Sequence, residues 1–331
     1  ELTERLSRTT KGSAELASMQ SVFPSITKFG MAALLPGLHL SADAQLAALM
    51  DGMPTRSTDE RNAVLNARGK SSVALRYTDL LNMKKAERRE QVAGKDVIYI
   101  YHNAIDAIGD KAPTESKVFD ACETAMQELA GLVRIITNEL GGTNIFITAD
   151  HGFLYTYRPL SESDKLGRDA FSGEILELGH RYALTAPDTA APGLLPVNLD
   201  REFNGAPVKG YAPQDTIRMK VQGGGANYVH GGVSLQEMVV PVILFKNLRT
   251  TSKDYVEVKN AEIRLLTESR KVANLIFSLE FYQAQPCGDK IQPCTYTICM
   301  TDENGTLVSD RQMLIADKSS PNANERAFRL R

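Results

Sequence analysis

Long apolar runs, cysteine and an excess of either charge are all lacking in this chain of 331 residues. Without a stretch of 18 or more apolar residues, no membrane-spanning helix is expected. Four cysteines (Cys122, Cys287, Cys294 and Cys299) are too few for a disulfide scaffold. Cys287 and Cys294 flank a Gly-Asp turn and could pair across facing strands, but reduced thiols in a cytoplasmic protein are the expectation. Lys and Arg number 38 against 40 Asp and Glu, so the net charge is −2. A surface built mainly to hold nucleic acid is therefore not expected, a local basic patch aside. The first residues, Glu1-Leu2-Thr3-Glu4-Arg5-Leu6, are charged and amphipathic, unlike a signal peptide. They read as the middle of a helix, and the chain as an excised fragment.

The length exceeds one ordinary core, so one large or two unequal domains are expected. A first helix is predicted to end by residue 9, where Lys11-Gly12-Ser13 breaks it. A short strand follows over residues 19–23, and a helix over residues 27–35 that stops at Pro36-Gly37. Residues 41–96 are charged and read as an insertion more than core. Val97–Tyr101 and Asn144–Thr148 are apolar runs that suit strands buried on both faces. Between them Thr114 is placed to cap a long helix over residues 115–139, which carries Val118, Ala121, Cys122, Ala125, Leu129 and Leu132 on one face. Gly141-Gly142 ends it. Strand, helix, strand is a βαβ unit, so the fold class is α/β, a mostly parallel sheet sandwiched by helices. Residues 159–227 read as loops, and residues 239–245 as the last strand of a domain spanning residues 1–248. Beyond it, residues 275–281 and 295–300 alternate like half-buried strands, and Asn304-Gly305 signals a hairpin. Residues 249–331 are thus expected to form a small antiparallel, sandwich-like β-domain.

Open parallel sheets place their sites at the carboxyl ends of strands, where His102 and Asp150 stand. Three of the five histidines fall in three short stretches: His102 with Asp106, Asp150 with His151, and His230. Imidazole and carboxylate are the ligands zinc or manganese takes at catalytic sites. Brought together, they would make a two-metal hydrolytic centre suited to displacement at phosphorus. In Thr148-Ala149-Asp150-His151-Gly152 the adjacent pair offers oxygen and nitrogen to one ion if the chain turns at Gly152; a loop in which the Asp caps the next segment fits the same residues. His102 and Asp106 share a face if a helical turn follows the strand; a surface histidine near a capping Asp fits as well. His230-Gly231-Gly232 alone describes an ordinary loop. Phe23-Pro24-Ser25-Ile26-Thr27-Lys28 puts a hydroxyl at the start of a helix, where backbone N–H groups favour an anion; Ser25 or Thr27 could equally be a plain N-cap. Lys28 reads as an exposed, solvated lysine, and His180-Arg181 takes no assignment. Gly223-Gly224-Gly225 lacks the Lys-Ser/Thr of a phosphate-binding P-loop.

The order of these pieces resembles the alkaline phosphatase superfamily. Within it, the stretches Thr27–Gly37, Tyr101–Asp106, Thr148–Phe153 and His230–Pro241 are similar to the signatures of the PglZ domain of bacteriophage exclusion (BREX) systems, over residues 1–246. The resemblance implies an alkaline-phosphatase-like core and Thr27 as nucleophile, in preference to Ser25. It implies one divalent ion held by Asp150, His151 and the nucleophile, and another by His102, Asp106 and His230. Zinc is the expected metal, with manganese or magnesium as alternatives. In that superfamily the i, i+4 pair is commonly Asp then His, whereas here His102 precedes Asp106. The superfamily's first strand ends in a metal-binding Asp, and no Asp occurs before residue 42. That strand is therefore expected to be missing, and the Asp150/His151 ion to be weak. The implied function is a metal-dependent phosphohydrolase, phosphodiesterase- or nuclease-like, in anti-phage defence, with a nucleic acid or nucleotide as substrate. The implied partners are a DNA methyltransferase, an AAA+ ATPase and small BREX proteins. The alternative is a non-catalytic, metal-stabilised scaffold of the BREX complex, and a phosphomutase would need a phosphosugar pocket not identifiable here.

Overall fold

A computed structural model describes residues 1–158, 160–199, 207–222, 227–248, 257–267, 277–288 and 290–331. The Gly223-Gly224-Gly225 stretch lies outside the described residues. The chain divides into two compact units, residues 16–244 and residues 1–15 with 245–331. Among the described residues no helix is long and apolar enough to cross a membrane.

The larger unit is mixed α/β. A three-stranded sheet runs in the order Ser13–Gln20, Val239–Lys246, Asn144–Thr148. The strand predicted over residues 19–23 thus forms earlier, and nothing β-branched in Ser13-Ala14-Glu15-Leu16-Ala17-Ser18-Met19-Gln20 announces it. Val97–Tyr101 pairs in parallel with Ser72–Arg76, Ser72 opposite Val97 and Arg76 opposite Tyr101. Ser72, Val73, Ala74 and Leu75 are buried, so residues 41–96 contribute core and are not merely an inserted surface segment. The helix before this strand, Thr58–Asn66, is opened by a capping box between Ser57 and Glu60. The long helix is Val118–Asn138, burying Val118, Ala121, Ala125, Ala130, Leu132 and Val133. Thr114 does not cap it; its hydroxyl donates to the Ile108 carbonyl, and a 3₁₀ turn over Glu115–Lys117 intervenes. The region read as loops folds a four-stranded antiparallel sheet in the order Ile175–Leu178, Ala183–Thr185, Lys209–Ala212, Leu195–Val197. Strands of three or four residues are too short to show a period.

In the smaller unit, Leu279–Gln283 lies between Ile263–Leu265 and Ala327–Leu330, all antiparallel. A second antiparallel pair, Cys294–Ile298 with Gln312–Ala316, shares one core with it through Phe281, Leu314, Ala316 and Phe328. The Asn304-Gly305 turn joins that pair, closed by Asp302 N–H to the Thr306 carbonyl at 2.9 Å. Part of the strand predicted over residues 275–281 lies outside the described residues. All four cysteines are free thiols. The helix Leu2–Thr9 belongs to this unit. Lys290 Nζ donates to the carbonyls of Ser7, Thr10 and Gly12 at 2.7, 3.2 and 3.0 Å, which satisfies acceptors at the helix's C-terminal end. Hydrogen bonds to a charged group contribute about 1.5–3 kcal/mol, so Lys290→Met should lower the stability of this unit by about that amount in urea unfolding. An unchanged midpoint would show that the ammonium does not hold the helix.

Candidate metal centre and nucleophile

Thr27 opens the helix Thr27–Ala33, after Ile26 in an extended conformation. Its hydroxyl oxygen is 3.2 Å from His151 Nε2. Gly30, one turn later, lets this helix lie against Asp150: a Cβ at Gly30 would come 2.4 Å from the Asp150 carbonyl oxygen. Ser21 donates its hydroxyl to that same carbonyl. Ser25 is fully buried, donates to the Gly232 carbonyl at 2.8 Å and accepts from Gly231 N–H at 3.1 Å. Its hydroxyl is thus engaged in fastening two loops, whereas the Thr27 hydroxyl faces an imidazole.

His151 Nδ1 is 3.0 Å from the Gly152 carbonyl oxygen. A carbonyl only accepts, so Nδ1 carries the hydrogen, and the neutral ring keeps a lone pair on Nε2. That nitrogen faces Thr27 and two carboxylates, Asp106 Oδ2 at 3.6 Å and Asp150 Oδ2 at 3.7 Å. The His230 ring stacks on His151 with centroids 4.1 Å apart. It repeats the arrangement, with Nδ1 3.2 Å from the Ser25 carbonyl and Nε2 3.3 Å from Asp110 Oδ1. Asp106 Oδ1 accepts a 2.5 Å hydrogen bond from the Tyr228 hydroxyl. Burial and then the Asp106 charge push that phenol far up, so it stays a donor.

The electrostatics are those of a crowded acidic pocket. Burial raises the Asp150 carboxyl, with His151 opposing and Asp106 adding. Burial pulls the His230 imidazole down, but the Asp110 hydrogen bond and the charges of Asp106 and Asp110 outweigh it, and the net shift is upward. Asp150 Oδ2 is buried without a hydrogen-bond partner.

That orphaned oxygen tests whether a divalent ion fits. Among the described residues no group of three or more His, Cys, Asp or Glu is arranged so that it could hold a metal ion. The donors nevertheless suit one in kind: two imidazoles, each fixed through Nδ1 to a carbonyl, and neighbouring carboxylates. The separations of 3.2, 3.6 and 3.7 Å around His151 Nε2 are close to the roughly 3.3 Å between ligand atoms of a tetrahedral zinc with 2.0–2.1 Å bonds.

His102, expected beside Asp106, does not join this cluster. Its Nε2 is 2.6 Å from Glu128 Oε2, and its ring meets Tyr77 edge-on with centroids 4.8 Å apart. The helix after the strand is Ala104–Gly109, so His102 precedes it and the i, i+4 relation fails there. The same spacing joins Asp106 to Asp110, the helix's C-cap residue. Tyr228 was also missed, and no spacing rule would have found it. Lys28 is no free lysine: it pairs with Glu177 Oε2 at 2.5 Å, while the Tyr182 hydroxyl donates to Oε1 at 2.6 Å. Gly152 serves a close approach and not a left-handed turn, since a Cβ would come 2.0 Å from the Gln236 carbonyl oxygen.

Residues 1–245 match the family model described as "BREX system PglZ alkaline phosphatase-like domain", which makes this an alkaline-phosphatase-like fold. The chain belongs to the PglZ family. It is 38% identical over 332 residues to the alkaline phosphatase-like protein PglZ of Bacillus cereus. It is 33% identical over 340 residues to the alkaline phosphatase-like protein BrxZ of Escherichia coli. Those alignments cover 99% and 98% of this chain, which spans 38% of the length of each relative. Among solved structures it is similar to murine ectonucleotide pyrophosphatase / phosphodiesterase 5, with TM-score 0.45 and 11% identity, over 74% of this chain and 82% of that one. The human counterpart gives TM-score 0.46 and 12% identity over the same shares.

Proposed function

We propose that this domain is the catalytic part of a metal-dependent phosphoester hydrolase, acting on phosphodiesters in the cytoplasm beside other BREX components. The observation that carries this reading is the convergence of Thr27, Asp106, Asp150, His151 and His230, from four separate stretches, on one pocket with an orphaned carboxylate oxygen. Thr27, Asp150 and His151 would hold one divalent ion, and Asp106, Asp110 and His230 the other. Zinc suits this mixture of nitrogen and oxygen donors. Bound there, divalent ions would polarise the phosphoryl oxygens and acidify the Thr27 hydroxyl.

The chain's own groups do the rest. His151 turns Nε2 toward the Thr27 hydroxyl, and the Gly152 carbonyl fixes that tautomer by accepting from Nδ1. Tyr228 fixes one oxygen of Asp106 and leaves the second free for an ion. Thr27 Oγ1 gives up its proton to solvent and forms the bond to phosphorus as the leaving-group oxygen departs on the opposite side and takes up a proton. Water then cleaves the remaining diester's bond between Thr27 Oγ1 and phosphorus, restoring the hydroxyl and releasing a phosphomonoester.

The test is metal content of the full-length protein by elemental analysis, paired with hydrolysis of bis(p-nitrophenyl) phosphate. His230→Ala and Asp110→Ala should each remove one ion of the expected two, because an incomplete shell loses affinity. His102→Ala should keep both. Full stoichiometry in His230→Ala, or loss in His102→Ala, would overturn this ligand set. A protein that holds its metal yet hydrolyses no phosphodiester would be a metal-stabilised scaffold instead.

A further inference from the structure

A chain of aromatic ring contacts runs from His230 to the surface. The Tyr228 ring lies 6.0 Å from the His230 ring and 4.7 Å from Phe153. Phe153 meets Phe119 at 6.5 Å. Phe119 then stacks on Tyr157, 5.8 Å apart at 11°, and both meet Tyr155 edge-on, at 5.1 and 5.2 Å. Two elements fix the series. Leu154–Tyr155 pairs antiparallel with Tyr228–Val229, which sets Tyr155 opposite Tyr228, and Phe119 stands in the first turn of the long helix. At the inner end the rings are buried: Tyr228 is 3% exposed. At the outer end Phe119 is 46% and Tyr157 80% exposed.

Large rings left in water call for a ligand. A peptide docking surface would mix rings with aliphatic side chains. Here Val118 and Leu154 are buried, and the large apolar groups these segments expose are the two rings alone. Flat π-faces are what unstacked nucleobases bind, and such stacking tolerates any base. Arg158, exposed and next to Tyr157 in the chain, supplies a cation for the backbone. With a net charge of −2, the chain cannot rely on phosphate contacts alone.

We propose that Phe119 and Tyr157, with Tyr155 behind them, form a base-stacking platform that takes single-stranded nucleic acid and leads its backbone to the Thr27 pocket. This rests on the phosphodiesterase reading and narrows its substrate class from any diester to a strand with splayed bases.

The test is fluorescence anisotropy of a labelled oligodeoxythymidylate with the full-length protein at fixed salt. Removing both rings in Phe119→Ala/Tyr157→Ala should weaken binding by about tenfold or more. Phe119→Tyr/Tyr157→Phe, which keeps both rings, should bind like the wild type. A duplex of equal length should compete poorly. Unchanged affinity in the alanine variant, equal loss in the ring-keeping variant, or effective competition by duplex would each overturn the platform. So would a co-purifying protein that is lost from the alanine variant while its oligonucleotide affinity is kept, since a protein would then cover the rings. Wild-type hydrolysis of bis(p-nitrophenyl) phosphate is the separate readout of the parent reading: its absence would remove the phosphodiesterase and leave the binding result standing.

Discussion

Thr27→Ala should lower phosphodiester hydrolysis by the full-length protein by roughly 10³-fold or more, the scale of loss when a nucleophile is removed from an assembled site. The fold should hold. Thr27 is only partly buried, and its hydroxyl approaches His151 Nε2 at 3.2 Å. Metal content should fall modestly, because a hydroxyl is a weak ligand beside Asp150 and His151. Ser25→Ala should behave in the opposite way. Its hydroxyl bridges the Gly231 N–H and the Gly232 carbonyl inside the protein, so the substitution strands two buried backbone groups. That costs about 1–3 kcal/mol of stability, while the surviving folded fraction turns over substrate. Single-turnover assays with thermal melts of both variants separate chemistry from folding. Wild-type rates from Thr27→Ala would sink the nucleophile assignment.

The second large effect concerns an ion pair. Arg181 is 1% and Glu237 0% exposed in their side chains. They meet as a fork, Nε to Oε1 at 3.1 Å and Nη2 to Oε2 at 3.0 Å. Glu237 also accepts from Gly232 N–H at 2.9 Å and the Ser234 hydroxyl at 2.7 Å, and Arg181 donates to the Ile217 carbonyl at 2.5 Å. The pair therefore ties the loop carrying His230 to two others. Removing one partner leaves a buried, uncompensated charge. Arg181→Met or Glu237→Gln should each destabilise by about 3–5 kcal/mol, and Arg181→Met/Glu237→Leu by clearly less than the sum. Single variants that lose under about 1 kcal/mol in urea unfolding would mean that water reaches the pair.

What could be read in advance follows from how locally each feature is encoded. Val97–Tyr101 and Asn144–Thr148 stand out because every position carries strand-forming side chains or their direct flanks. Ser72–Arg76 is equally structural but has only three apolar residues amid charge, and its role appears once it lies along Val97–Tyr101. The α/β class survives because it needs only the long helix and its flanking strands. At the site, Asp106, Asp150, His151 and His230 were visible because each follows or adjoins a strand-like run. Asp110 was not, because the four-residue spacing was counted from His102, before the helix begins. Arg181 and Glu237 are 56 residues apart, and no periodic pattern links them. Pairings of that kind are properties of the assembled chain.

The split between the two units also sets a timetable. Residues 1–15 share a unit with residues 245–331, so about 230 residues separate the two parts during synthesis. At roughly 5–20 residues per second, the opening helix waits on the order of ten to fifty seconds for its partner. The hydrogen bonds from Lys290 to Ser7, Thr10 and Gly12 therefore form only after the phosphatase-like unit has been synthesised.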